Sequence, residues 1–111
     1  MLGEINILEL RLMPLAVIVT FKVDPAQFDA FKAFLVEMLP DTRAFDGCIG
    51  LEVAARDDDH VVILHEVWRS KAHQLAYRQW RADRGDGAKF AAFQREAPRF
   101  DDYEMLDIPR V

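Results

Sequence analysis

The stretch VVILHEVW, Val61–Trp68, is apolar at nearly every position. A strand of that pattern is poorly suited to the edge of an open sheet, because both of its faces need cover. It reads as a central strand, so the rest of the chain must supply neighbours on each side and layers above and below.

The neighbours are legible on either side of it. LAVIVTFKV, Leu15–Val23, alternates with Val17, Val19, Phe21 and Val23 on one side and Ile18, Thr20 and Lys22 on the other, the period of a strand. Asp24 then suits an N-cap, Pro25 the first helical position and Gln27 a capping box. Phe28, Phe31, Leu35 and Met38 follow at helical spacing, widened by Phe34 and Leu39, and this helix is expected to end near Pro40–Arg43. Asp46-Gly47 marks a turn, Cys48–Ala55 a strand, and the polar Arg56–His60 a hairpin turn. Ser70 caps a second helix running to about Asp83. Arg84–Gly87 breaks it as a candidate mobile lid, Ala88–Glu96 forms a short helical piece before Pro98, and Phe100–Ile108 reads as the last strand. Ahead of all this, Ile5–Met13 alternates as an extended arm or extra strand, so the chain divides into an arm at 1–14 and one domain at 15–111.

The order is β-α-β-β-α-β, an α+β, ferredoxin-like arrangement with a four-stranded antiparallel sheet. Two helices cover one sheet face. The other face, also apolar, would be exposed in a single copy. A two-fold homodimer closed into a dimeric α+β barrel would cover it.

The chain has 111 residues, 51% of them hydrophobic, which fits one core. Asp and Glu number 19 against 14 Lys and Arg, a net charge of -5 that argues against nucleic acid as the main partner. The single cysteine, Cys48, rules out an internal disulfide and suits a reducing compartment. No apolar run approaches the ~18–20 residues of a membrane span. The first residues carry Glu4 and Glu9 without a basic region, unlike a signal peptide. A bacterial-style cytoplasmic protein is the expectation.

Candidate site residues gather in HEVWRSKAHQLAYRQWRADRG, His65–Gly85. Leu64, Glu66 and Trp68 share one strand face. A buried carboxylate there is costly unpaired, so Glu66 either meets an Arg or faces a wet pocket. His65 faces the other way; it is either a general base or a hydrogen-bonded core histidine. Tyr77 and Trp80 form an aromatic wall for a flat ring or fill the core. Arg78 and Arg81 share a helix flank that Arg84 extends, either to hold an oxyanion or as a solvated face. His73 and His60 are expected to be exposed. The three histidines lack a metal spacing, so no metal is expected.

FDGCIGLEV, a polar turn, and then LHEVWRSKAHQLAYRQW together resemble the antibiotic biosynthesis monooxygenase family of dimeric α+β barrels. The shared pattern is a Gly-Cys turn opening the second strand, Glu-x-Trp ending the third, and a capped helix. The resemblance spans about Leu15 to Ile108. It implies a homodimer with one pocket per subunit between sheet and helices. It also implies oxidation of a small reduced aromatic by O2 with no metal or flavin, the substrate's own carbanion being the reductant. Trp68 matches a pocket-lining Trp of the quinone-forming members. Their Asn four residues earlier is Leu64 here, and a His common in the second helix is Tyr77. The haem-degrading branch needs an Asn on the first strand, which LAVIVTFKV lacks. Residue phase and the resemblance together put Trp68, Leu64, Glu66, Trp80, Arg81 and Arg84 around the substrate, with His65 and Tyr77 as catalytic candidates. The departures keep two alternatives open: a non-catalytic ligand-binding or stress-related barrel, and an isomerase or lyase of the muconolactone type.

Overall fold

Strand β1 (Leu15–Lys22) leads through a 3-10 turn (Pro25–Gln27) into helix α1 (Phe28–Ala44). Strands β2 (Cys48–Arg56) and β3 (Val61–Trp68) form a hairpin, followed by helix α2 (Lys71–Asp83), short helix α3 (Asp86–Ala91) and strand β4 (Arg99–Glu104). This is a computed structural model, and it describes residues 13–108. The arm expected at Ile5–Met13 lies, but for Met13, outside the described residues. The strands run antiparallel in the order β2-β3-β1-β4, so the apolar Val61–Trp68 is interior, as its composition requires. The α+β ferredoxin-like expectation holds.

Register carries the strand periodicity into the core. Val17, Val19 and Phe21 pair with Glu66, Leu64 and Val62 across β1 and β3, and all six point to the helices and are buried. Phe28, Phe31, Leu35 and Leu39 of α1 close over them. Phe31 sits 5.1 Å from Phe21 and 5.5 Å from Phe93, ring centre to ring centre. Each such buried side chain contributes roughly 1.5–3 kcal/mol. On the opposite sheet face Ile18, Ile63 and Val67 stay partly exposed.

Several boundaries differ from the sequence reading. Asp24 does cap, but it accepts from the Ala26 N–H of the 3-10 turn, and Gln27 makes no side-chain cap. Helix α1 passes through Pro40 to Ala44. Pro40 leaves the Val36 carbonyl without its helical donor, and Val36 is 76% exposed, so water can substitute. The break after α2 shrinks to Arg84–Gly85. Gly85, at φ 74°, ends the helix, and buried Asp86 starts the next. Helix α3 stops at Ala91 rather than Glu96, because the chain is then tied along β1: Asp24 donates to the Phe93 carbonyl and Arg95 to the Lys22 carbonyl, each at 2.9 Å. Strand β4 ends at Glu104, not Ile108. Its last bond runs from Met105 N–H to the Pro14 carbonyl, and Pro14 has no N–H to extend the ladder.

Candidate active site

Between the helix-facing side of the sheet and helices α2 and α3 lies a cavity of about 300 Å³, the lower end of the range for small-ligand sites. Its floor is strand side chains: Val19 and Phe21 of β1, Leu64 and Glu66 of β3, and Phe100 of β4. Tyr77, Arg78, Arg81 and Ala82 of α2 form one wall, and Asp86, Gly87 and Phe90 of α3 another. Period two on the strands and period 3.6 on α2 bring these positions to one place. Gln94 and Pro98 close the far end; Gln94 Nε2 donates to the Phe90 carbonyl at 2.9 Å.

Glu66 is the unusual feature. It is 4% exposed, and its Oε1 accepts from the indole Nε1–H of Trp68 at 2.9 Å. Burial pushes its carboxyl pKa up; the Trp68 bond and the Arg78 and Arg81 charges only partly oppose this.

Arg81 is committed to the protein itself. Its Nε donates to the Tyr77 hydroxyl at 2.8 Å, one terminal nitrogen to Asp86 at 2.9 Å, and the other to the Met38 carbonyl at 2.8 Å and Thr42 Oγ1 at 3.0 Å. One guanidinium thus ties α1, α2 and α3 together. Burial works against ionisation of Asp86, but Arg81 and Arg84 outweigh it and hold the carboxyl below its ordinary value. Tyr77 shares a 2.7 Å hydrogen bond with Thr42, and its phenol is pushed up by burial. Both of its polar contacts are therefore internal, and its ring is what meets the cavity.

Of the residues singled out in the sequence, Leu64, Glu66, Tyr77, Arg78 and Arg81 come together here. Trp68 does not reach the cavity surface. It is fully buried behind Glu66 and packs on Tyr77 at 5.0 Å. Trp80 lies outside the lining, with the guanidinium groups of Arg81 and Arg84 over its ring at 4.8 and 4.6 Å, and Arg84 itself binds Asp86 at 3.1 Å. His65 is exposed on the opposite sheet face, beside Cys48 and Arg43, and cannot reach a ligand in the cavity. His73 and His60, expected to be exposed, are half-buried. His73 Nδ1 bonds Ser70 Oγ at 2.7 Å, and His60 meets Phe28 edge-on at 5.1 Å. The sequence reading offered Arg78 as an oxyanion holder or as part of a solvated face, and it passed over Phe90 and Phe100 as lining residues. Arg81 and Ala82 follow Arg78 at three and four residues, a helical spacing already present in the chain. Among the described residues no three His, Cys, Asp or Glu converge as metal ligands, and no helix is long and apolar enough to cross a membrane.

A family model described as antibiotic biosynthesis monooxygenase matches residues 14–96. No curated protein matches the chain. Among solved structures, Rv0793 from Mycobacterium tuberculosis is similar with a TM-score of 0.66 at 26% identity, covering 87% of this chain and 99% of that one. The NE2512 protein of unknown function from Nitrosomonas europaea has a TM-score of 0.74 at 19% identity, covering 91% and 97%. A monooxygenase from the gene ActVA-Orf6 of Streptomyces coelicolor, in complex with nanaomycin D, has a TM-score of 0.72 at 14% identity, covering 89% and 93%.

Proposed function

The chain belongs to the antibiotic biosynthesis monooxygenase family, and on that premise we propose that its cavity takes a small hydroxylated, quinol-like aromatic and oxidises it with O2, with no metal or flavin. The observation that carries the reading is Glu66: a buried carboxyl with a raised pKa in a largely apolar, aromatic-lined cavity. Such a group suits proton transfer at a pH above the ordinary carboxylate range. Leu64, where quinone-forming relatives carry Asn, offers no polar atom, so Glu66 is the group on that face able to take the proton.

In this scheme Glu66 accepts the proton of the phenol or activated C–H. The resulting anion passes one electron to O2, the radical pair joins to give a peroxide anion at the ring carbon, and Glu66 returns its proton to make the hydroperoxide. Glu66 then takes the remaining C–H proton as the O–O bond breaks, leaving a carbonyl and hydroxide, which receives that proton and departs as water. A C–H2 centre and O2 thus become C=O and H2O. Phe21, Phe90, Phe100 and the Tyr77 ring hold the substrate and keep water out. The ligand-bearing neighbour from Streptomyces coelicolor supports the fold's capacity for a ring ligand. The reading includes a homodimer, supported by the apolar Ile18, Ile63 and Val67 left on the uncovered sheet face.

A second reading, proton transfer without O2 as in an isomerase, draws on the same Glu66. Oxygen uptake with anthrones, naphthols and hydroquinones, wild type beside Glu66→Gln, separates the two. Protein-dependent uptake lost in the variant supports oxygenation. Turnover of a substrate with no oxygen consumed supports isomerisation, and uptake undiminished in the variant sinks the role of Glu66.

A further inference from the structure

We infer that the aromatic substrate carries a carboxylate, recognised by Arg78 at the cavity wall. This rests on the cavity being the substrate site. Four charged residues line the cavity: Glu66, Arg78, Arg81 and Asp86. Arg81 and Asp86 neutralise each other at 2.9 Å, and the donors of Arg81 are spent on Tyr77, Asp86, Met38 and Thr42. Arg78 differs. Its guanidinium lies over the Phe100 ring at 4.2 Å, and it makes no hydrogen bond or ion pair among the described residues. Stacking fixes the plane of the group while leaving its in-plane N–H donors open.

Asp102, two residues beyond Phe100 on the same face of β4, does not serve as the partner, because it is paired with Lys71. When Glu66 holds a proton, whether through its raised pKa or by taking one from the substrate, Arg78 is the uncompensated charge of the cavity. An anionic substituent supplies the balance. Carboxylate is the matching chemistry, since a planar fork of donors meets two coplanar oxygens. A ring against Phe100 brings such a substituent to the guanidinium stacked on it.

The test is binding without turnover. Purified protein is titrated anaerobically with 1-hydroxy-2-naphthoate and with 1-naphthol, following heat. The carboxylate is expected to bind about tenfold or more tighter, the scale of a charge-assisted hydrogen bond. In Arg78→Gln the ratio of the two affinities should fall to within about twofold of one, and Arg78→Lys should keep an intermediate preference. Equal affinities in the wild type, or a preference undiminished in Arg78→Gln, overturn the inference while leaving the cavity as substrate site. Binding of neither probe overturns both. Circular dichroism confirms that the exposed Arg78 was replaced without loss of fold.

Discussion

Trp68 donates its indole N–H to Glu66 across 2.9 Å, between two residues on the same face of β3. The donor is fully buried and the acceptor 4% exposed. A buried carboxyl held by one neutral donor keeps a fixed orientation and still loses the stabilisation water would give its charge.

Glu66→Gln should therefore stabilise the protein at neutral pH while lowering its activity. A carboxyl whose folded pKa is raised binds its proton more tightly when folded. Its contribution is full below the unfolded value of about 4.3 and is lost as pH rises through the folded one. The amide removes that loss and can still accept from Trp68. Melting temperature against pH should thus fall less steeply above about 4.3 in the variant. An unchanged profile would show that Glu66 has no raised pKa.

Trp68→Phe keeps a ring and removes the donor. The Glu66 pKa should rise further, moving the acid limb of the pH–activity profile to higher pH. Stability should drop by about 1–3 kcal/mol, from the lost bond and the smaller ring. Urea denaturation measures the second effect independently of the first.

Arg81→Met should be among the most damaging single changes, at about 3–5 kcal/mol, because it leaves Asp86 buried with one of its closest cations gone. Adding Asp86→Leu should recover a large part, since the stranded charge goes too. Equilibrium unfolding of both variants gives the coupling. Asp86 also sets the acid side: its lowered pKa means a contribution present above about 3.9 and lost as pH falls through the folded value.

Gly47→Ala meets two obstacles. Gly47 has φ 91°, and a Cβ there would lie 2.3 Å from His73 Cγ. The variant should lose at least about 2 kcal/mol, and Gly47→Ala with His73→Ala should still carry about 1 kcal/mol of backbone strain. Thermal melts of the single and double variants separate clash from strain.

What could be read from the chain was what local periodicity controls. The alternation in Val61–Trp68 put Leu64, Glu66 and Trp68 on one face and His65 on the other, and the structure has them so. The role of Trp68 was hidden because sharing a face does not fix depth. The Glu66 carboxyl turns back onto the indole, and Tyr77 packs over it. Arg81 looked like one of a row on a helix flank. Its partners Met38 and Thr42 lie 43 and 39 residues away, beyond any local pattern. Arg84–Gly87 looked like a loop because its glycines suggest one, whereas Asp86, buried and paired with Arg81, starts a helix in the second half of it.

Arg78 and Arg81 stand three residues apart on α2, one exposed and one 7% exposed. Dissolved ions screen the two unequally. At about 0.15 M ionic strength the Debye length is about 8 Å, which weakens the reach of an exposed charge and scarcely touches a buried one. Raising the salt concentration therefore acts as a selective reagent on this helix: it dims the attraction that Arg78 exerts on passing anions and leaves the Arg81 junction, and with it the shape of the cavity, in place.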